Sequence, residues 1–315
     1  MEDLKIDPKR KVMETIFAIA VSTILMLIGI YYLPWAIFLY PILFVILGVR
    51  YGMNYAILAL IVSTFSIGLM VDMISGIFIL IAFAPLSISL IHTIKMRKNS
   101  LVVLSVSAIV FLISIVFIMS IMKNMTGVSI INQLEDAFNQ VINYRIEILK
   151  DTGLTKNEIS EVKDFLENQS EYILLITPSI VMVFSLVIAY LNYLLSSLSL
   201  RKLGYGIVSI PKFSRFKLPN NILLGTVIMF LGAFIIKKLQ LFYYETILIN
   251  ITVIISFLFF IQGLAVIDYK LIKRNLKTIP RILIVGLLII PFGGFLPFVG
   301  VLDTIFDLRK FRKSI

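Results

Sequence analysis

The chain has 315 residues, of which 59% are hydrophobic and 15% charged, and its mean hydropathy is +1.01. Soluble domains carry about 45–50% apolar and about 25% charged residues, so this composition excludes an ordinary soluble protein. The apolar residues form continuous runs long enough for a helix to cross about 30 Å of hydrocarbon, unlike the short alternating segments of a β-barrel. The sequence therefore predicts an all-α, polytopic membrane helix bundle.

The net charge of +11 does not indicate nucleic-acid binding. Lys and Arg lie in short segments beside apolar runs, a pattern typical of positive-inside topology and of contact with anionic lipids. The chain has no cysteine and one histidine, His92, and it contains no phosphate-binding glycine loop, HExxH or GxSxG motif. We therefore expect contact with the lipid bilayer and no nucleic acid, cofactor, metal or enzyme activity.

Long apolar runs predict eight membrane spans in chain order, at 13–33, 35–49, 54–72, 75–95, 101–122, 171–198, 221–239 and 245–267. With the N-terminus in the cytoplasm, 18 of the 29 Lys and Arg residues fall on the cytoplasmic side of the cell membrane, which is the predicted orientation. A ninth apolar segment, 281–302, is broken by PFGGFLPFVG. If it crosses fully, the basic tail lies outside, against the charge rule; we favour a re-entrant segment with the tail inside.

The first predicted helix carries two small residues, Ala18 and Ser22, four positions apart. This spacing allows another helix to approach closely. Two interpretations remain open: the pair packs inside the bundle, or it docks another membrane subunit. We expect most polar side chains within the spans to make helix–helix hydrogen bonds, and the set is Ser22, Thr23, Thr64, Ser66, Asn192, Asn250, Thr252 and Gln262.

A short segment, ILGVRYGMNY (46–55), joins the second and third predicted spans. Gly48 and Gly52 permit a tight reversal, and we expect Arg50 to anchor this turn at the inner headgroups. Asp72 follows the third span at its outer end. It either binds a ligand group at the external mouth or faces water.

The segment 123–170 is too polar for the membrane, with eight acidic and five basic residues. Its pattern predicts an amphipathic helix over INQLEDAFNQVINYRIEILK. A second helix begins with a capping box formed by Thr155 and Glu158 and continues into the sixth span, with a kink near Pro178. The two helices form an external cap, either a lid on the rim of the bundle or a gate over a ligand site.

Three regions follow from this division of the chain. Residues 1–198 form a membrane bundle that includes the insertion 123–170. Residues 199–220 mix basic and aromatic side chains and form a cytoplasmic interfacial loop, which contacts the inner leaflet or a cytoplasmic partner. Residues 221–315 form C-terminal membrane helices with a Gly/Pro-broken last segment.

Two resemblances carry further expectations. Pro34 and Pro41 in the second helix, the Gly-framed turn, the small-residue-rich third helix and the short outer loop resemble the S-components of energy-coupling-factor vitamin transporters over about 13–198. The same turn, with QGLAVIDYKLIK (262–273) and VGVLDTIFDLRK (299–310), resembles the YybS-like family of bacterial membrane proteins over nearly the whole chain.

The resemblance implies a six-helix S-component-like core followed by C-terminal helices, with Ala18 and Ser22 matching the positions that dock a coupling subunit. The insertion 123–170 and the spans after 220 depart from the S-component pattern. We expect a transport-related small-molecule-binding protein that relies on a separate ATPase module. The alternative is a membrane scaffold or sensor that interacts with envelope or signalling proteins.

Overall fold

The computed structural model describes residues 8–127, 129–152, 154–206, 212–219, 221–240 and 243–309. Within these residues it contains helices and no strand, so the predicted all-α class is confirmed. The α-helices are α1 (Pro8–Tyr31), α2 (Pro41–Tyr51), α3 (Met53–Met70), α4 (Met73–Lys95), α5 (Ser100–Thr126), α6 (Ile130–Lys150), α7 (Lys156–Lys202), α8 (Ile222–Lys238), α9 (Tyr244–Lys273), α10 (Thr278–Phe292) and α11 (Leu296–Phe306). Short 3-10 helices occupy Pro34–Leu39, Phe213–Arg215 and Gly293–Phe295.

Eight helical stretches in the described residues are long and apolar enough to cross a membrane. One of these stretches combines the 3-10 helix Pro34–Leu39 with α2, and another combines α10 with α11. The predicted span 221–239 corresponds to α8, which has 17 residues and is slightly shorter than these eight. The apolar surface of the helices therefore faces a bilayer, as predicted for a polytopic bundle.

The chain divides into two compact units. Unit 1 comprises 1–136 and 184–210, and unit 2 comprises 137–183 and 211–315. The core of unit 1 is built from α1 to α5, with the second half of α7 adding Ile188, Ala189 and Tyr193. In unit 2, a smaller apolar cluster of Leu218, Ile255 and Phe259 joins the 212–219 segment to α9.

Helix α7 is a single helix of 47 residues that begins at the predicted capping box. The Thr155 N–H donates to Glu158 Oε2 at 2.8 Å, and the Glu158 N–H donates to Thr155 Oγ1 at 3.4 Å, so the capping box is confirmed. The continuation into the sixth span is also confirmed, and Pro178 lies inside the helix.

The Asn250 side chain of α9 supports α7 next to this proline. Asn250 Oδ1 accepts from the Ser179 N–H at 2.8 Å, and Asn250 Nδ2 donates to the Leu175 carbonyl at 2.8 Å. These two backbone groups pair with each other in a regular helix, four residues apart. Insertion of a side chain between such partners is a recognised cause of helix bending.

The last apolar segment is interrupted near its middle. A 3-10 turn at Gly293–Phe295 separates α10 from α11, as the PFGGF sequence predicts. Near the start of α10, Arg281 pairs with Asp268 of α9 at 2.6 Å. After α11, Arg309 binds the Ser214 carbonyl, and the Ser214 backbone also interacts with Asp268. Both ends of the segment are therefore linked, through Asp268 and Ser214, to the same part of unit 2.

Candidate functional site

Each unit contains a buried group of polar side chains that lies at contacts between its helices. The first is a row of neutral side chains on one face of α7, which we call the α7 stripe and define as Asn192, Tyr193, Ser196 and Ser197. The spacing of i, i+1, i+4 and i+5 places all four on the same side of the helix. Each is at most 2% exposed. The stripe therefore faces the interior of unit 1.

Each residue of the α7 stripe contains one polar atom that has no hydrogen-bond partner. These buried atoms are Asn192 Oδ1, Tyr193 OH, Ser196 Oγ and Ser197 Oγ. The Tyr193 hydroxyl interacts with the hydroxyls of Ser100 and Ser197, although neither contact has the geometry of a regular hydrogen bond. An unsatisfied buried group costs about 1–3 kcal/mol, so four on one helix face call for a physical explanation.

Several other buried hydroxyls of the bundle are satisfied by their own helices. Ser87 donates to the Phe83 carbonyl at 2.8 Å, and Ser114 donates to the Val110 carbonyl at 3.1 Å. A serine in a membrane helix usually makes this bond to the carbonyl three or four residues earlier. Ser196 and Ser197 do not make it, so the Ser196 hydroxyl is available to bind another group, whereas the Ser197 hydroxyl lies beside that of Tyr193.

The rest of the Asn192 amide fixes the position of the stripe. Asn192 Nδ2 donates to the Phe38 carbonyl and to the Ile188 carbonyl, both at 2.9 Å. Two residues after Phe38, the Tyr40 hydroxyl donates to Ser63 Oγ at 3.0 Å, and Ser63 Oγ lies 2.9 Å from Thr23 Oγ1. Asn192 thus fixes the stripe to the 3-10 helix Pro34–Leu39. Tyr40 follows this helix and contacts the hydroxyl pair formed by Ser63 of α3 and Thr23 of α1.

The α7 stripe has hydrogen-bonding capacity but no formal charge. It presents one amide acceptor and three hydroxyls, each able to donate and to accept. An ionised ligand would bring an unpaired charge into a medium of low dielectric constant, which is strongly unfavourable. The arrangement therefore suits water or a small neutral polar solute.

Unit 1 also has an open groove of about 510 Å³ between α1 and α3. Its lining is mostly apolar and does not include the α7 stripe.

The second polar region lies in unit 2 and is ionic. We call it the ionic clasp and define it as Gln262 of α9, Asp303 and Thr304 of α11, Arg309, and the backbone of Ser214 and Leu218. Arg309 binds Asp303 through two nitrogens, at 2.7 and 3.3 Å, and donates to the Ser214 carbonyl at 2.9 Å. Asp303 and Arg309 are almost completely buried.

Gln262 completes the ionic clasp. Its Nε2 donates to Asp303 Oδ2 at 2.8 Å and to Thr304 Oγ1 at 2.9 Å, while its Oε1 accepts from the Leu218 N–H at 2.9 Å. Every side-chain nitrogen and oxygen of the clasp residues thus has a partner. The clasp fixes the 212–219 segment on α9 and α11, so this part of the predicted interfacial loop is held by protein.

Two glycines allow α9 and α11 to pack closely beside the ionic clasp. A Cβ at Gly263 would overlap the Leu296 carbonyl, and a Cβ at Gly300 would overlap the Phe259 carbonyl. The helix backbones are therefore in direct contact, which is a common use of glycine in membrane helices. This contact places Gln262 within reach of Asp303 and Thr304.

Asp72, the predicted ligand residue, caps α4. Its Oδ1 accepts from the Ser75 N–H at 2.7 Å, and its Oδ2 accepts from the Ser75 hydroxyl at 2.5 Å. The side-chain and backbone hydrogen bonds from Ser75 hold the pKa of Asp72 below its ordinary value. The carboxylate is exposed but already engaged at the helix N-terminus, where an acidic cap is favourable.

The predicted docking pair lies inside unit 1. Ala18 is 4% exposed and Ser22 is 1% exposed. Ser22 Oγ is buried without a hydrogen-bond partner. A subunit bound to the exposed surface of α1 would not contact these side chains. Their burial favours the first interpretation, in which the pair packs inside the bundle.

Gly48, Arg50 and Gly52 of the predicted turn have different structural roles. Gly52 has φ = +112°, a conformation that favours glycine, and it separates α2 from α3. Gly48 is a packing position, because a Cβ there would overlap Ile91. Arg50 forms an ion pair with Glu14 of α1 and stacks on the Tyr51 ring at 4.8 Å. Its side chain is only 13% exposed, so it joins α1 to the turn instead of extending to the headgroups.

The expected helix–helix hydrogen bonds are found for only part of the predicted set. Thr23 and Asn192, together with Asn250 and Gln262, bind other helical segments. The expectation was wrong for Ser22, whose hydroxyl has no partner, and for three residues that bind a carbonyl of their own helices, namely Thr64, Ser66 and Thr252. No cluster of His, Asp and Glu suited to a metal ion occurs among the residues that the structure describes.

The sequence did not predict either polar region as a site. For the ionic clasp a signal was present, since its residues lie in the two C-terminal segments that resemble YybS-like proteins, but their pairing depends on the α9–α11 contact. For the α7 stripe the four polar residues within LNYLLSS were a signal as well. Missing hydrogen bonds cannot be read from sequence, because a serine in a helix usually binds its own backbone.

Comparison with known proteins agrees with one of the two resemblances. Residues 20–307 match the family described as predicted membrane protein, DUF2232. The chain is 24% identical over 277 residues to the uncharacterized protein YybS of Bacillus subtilis (strain 168), covering 87% of this chain and 88% of that protein. No solved structure matches the chain. Because the family match extends over most of its length, this integral membrane protein belongs to the DUF2232 family.

Proposed function

We propose that this protein binds a small neutral polar solute within unit 1 and acts as the solute-binding component of a transport system. The observation that carries the proposal is the α7 stripe, in which four buried polar atoms on one helix face lack partners. A bound solute would supply the missing donors and acceptors. The chain has no ATP-binding motif, so energy for transport would come from a separate ATPase module.

The position of the α7 stripe bears on the path of the solute. Asn192 lies ten residues before Lys202, which is about 15 Å along the helix and near the middle of a hydrocarbon core of about 30 Å. The stripe extends from there toward the Lys202 end. Because all four atoms are enclosed, a solute enters only if α7 separates from its neighbours.

The test is extraction of the full-length protein from its native membrane in mild detergent, followed by mass spectrometry. Small molecules released by denaturation and co-purifying proteins are both recorded. We expect one metabolite at about one per chain from the wild type and less than a tenth as much from Asn192→Leu. Ser199→Ala removes a hydroxyl from the same helix outside the stripe and should retain the metabolite. Equal, near-zero recovery from all three proteins would contradict the proposal.

We propose further that the N-terminus and the residues after α11 both lie on the cytoplasmic side. The basic residues of the N-terminus, of 201–219 and of 270–281 support this orientation, and the turn at Gly293–Phe295 supports a re-entrant α10–α11 segment. The chain has no cysteine, so single cysteines serve as accessible labels without background. Lys98→Cys and Leu308→Cys should react with a membrane-impermeant maleimide only in opened cells. Labelling of Leu308→Cys in intact cells would overturn this topology.

A second function is favoured by a different observation. The two C-terminal segments that resemble YybS-like proteins contribute to the ionic clasp of unit 2, not to the α7 stripe. The ionic clasp fixes the 212–219 segment on α9 and α11. A segment held in one position can form part of a binding surface for another protein, as in a membrane scaffold or sensor. Recovery of a reproducible envelope or signalling protein, with no metabolite and no ATPase, would favour this second function.

A further inference from the structure

The end of unit 2 that carries the ionic clasp has three carboxylates, and all three are paired within the protein. Asp303 pairs with Arg309 at 2.7 Å, Asp268 pairs with Arg281 at 2.6 Å, and Asp307 pairs with Lys217 at 3.2 Å. Each pair joins two segments of unit 2 or closes the end of α11. Each of these acids is therefore engaged with a partner inside unit 2.

Six further cations lie in the same region. All are exposed, and none forms an ion pair in the part of the chain that the structure describes: Lys212, Arg215, Lys270, Lys273, Arg274 and Lys277. Two of them flank Ser214, whose backbone interacts with Asp268 on α9. The other four follow Asp268 at the end of α9 and in the connection to α10. The 212–219 segment and the end of α9 thus form one cationic surface.

An apolar surface begins directly beside these cations. Ile279, Ile282 and Leu283 of α10 are 74%, 63% and 62% exposed, and Ile279 follows Lys277 by two residues. Phosphate groups next to hydrocarbon chains have the same arrangement of charge and apolar surface. A soluble anion or a nucleic acid would use the cations but would leave the apolar side chains uncovered.

We propose that this cationic surface binds the headgroups of anionic phospholipids, while α10 contacts their acyl chains. The ionic clasp holds Ser214 in place, so Lys212 and Arg215 are presented at a fixed position and not on a free loop. This proposal is independent of the solute in unit 1. Each exposed cation near an anionic headgroup contributes about fivefold to binding.

The test is native mass spectrometry of the purified full-length protein, titrated with phosphatidylglycerol or with zwitterionic phosphatidylcholine. The double variant Lys273→Gln/Arg274→Gln removes two cations from the surface. Lys237→Gln/Lys238→Gln removes two exposed cations from the far end of α8 and serves as the control. A melting temperature equal to that of the wild type shows that each variant is folded.

We expect phosphatidylglycerol to bind the wild type and the control, to bind the double variant about 25-fold more weakly, and to be unaffected by millimolar inorganic phosphate. Phosphatidylcholine should not form the same complex. Equal binding of the two lipids, or an unchanged affinity in the double variant, would overturn the proposal. Displacement of phosphatidylglycerol by inorganic phosphate would also overturn it, because the ligand would then be a free anion.

Discussion

The α7 stripe and the ionic clasp are both buried polar regions of a membrane protein, but they solve the problem of burial differently. In the clasp, Asp303, Arg309 and Gln262 carry charges or an amide, and every polar atom has a partner. In the stripe, the side chains are neutral and four polar atoms have none. The charged region is thus the one in which every polar side-chain atom has a partner within the chain.

This difference separates a structural role from a binding role. A buried ion pair is tolerated only when good geometry and further hydrogen bonds offset the loss of hydration, and the ionic clasp meets both conditions. A set of unsatisfied hydroxyls does not stabilise the protein by itself. It becomes favourable only when water or a solute completes it.

The largest expected effect comes from breaking the ionic clasp. Asp303→Asn removes the negative charge and leaves the Arg309 guanidinium buried without a counter-ion. We expect a loss of about 3–5 kcal/mol in the free energy of unfolding, measured by denaturant titration in detergent. Glu167→Gln removes a carboxylate from the exposed pair with Lys163, which lies 3.4 Å away, and should change stability by less than about 1 kcal/mol. Equal effects of the two substitutions would mean that the clasp is not a structural element.

A smaller effect is expected at the close contact of α9 and α11. Gly263→Ala places a methyl group against the Leu296 carbonyl, so the helices must separate and Gln262 moves away from Asp303. We expect a loss of about 1–3 kcal/mol in the same titration. Gly286→Ala, in α10, meets no atom within 4 Å and should be neutral or slightly stabilising, because alanine favours helix. If Gly263→Ala is as well tolerated as Gly286→Ala, the backbones of α9 and α11 are not in contact.

The smallest expected effects are changes in stability of opposite sign, one in the ionic clasp and one in the α7 stripe. Thr304→Val removes one hydrogen-bond partner of Gln262 and should cost about 1 kcal/mol. Ser196→Ala removes a hydroxyl that has no partner, so we expect no loss, or a gain of up to about 1 kcal/mol, in protein freed of solute. Thermal unfolding of the two variants beside the wild type measures both. A clear loss from Ser196→Ala in solute-free protein would show that its hydroxyl already has a partner.

Much of the fold follows from local pattern, whereas the polar regions depend on tertiary packing. Apolar run length predicts the membrane helices, and the Thr155–Glu158 capping box predicts where α7 begins. A 3-10 turn at Gly293–Phe295 interrupts the last apolar segment where the sequence places its break, whereas the re-entrant course stays a prediction. The partner of Arg50 was not predictable, because Glu14 lies 36 positions away and meets it only when α1 packs beside the turn. Gln262 and Asp303 are 41 positions apart and meet for the same kind of reason.

The most direct test of solute binding in unit 1 is an experimental density map of the wild-type protein extracted with its native lipids. We expect density for a small non-lipid molecule in contact with Asn192 Oδ1 and with the hydroxyls of Ser196 and Ser197. The contradictory result is a stripe without such density, in which both serine hydroxyls bind the carbonyls of their own helix. In that case α7 would be an ordinary packing helix, and the scaffold or sensor function would replace solute binding.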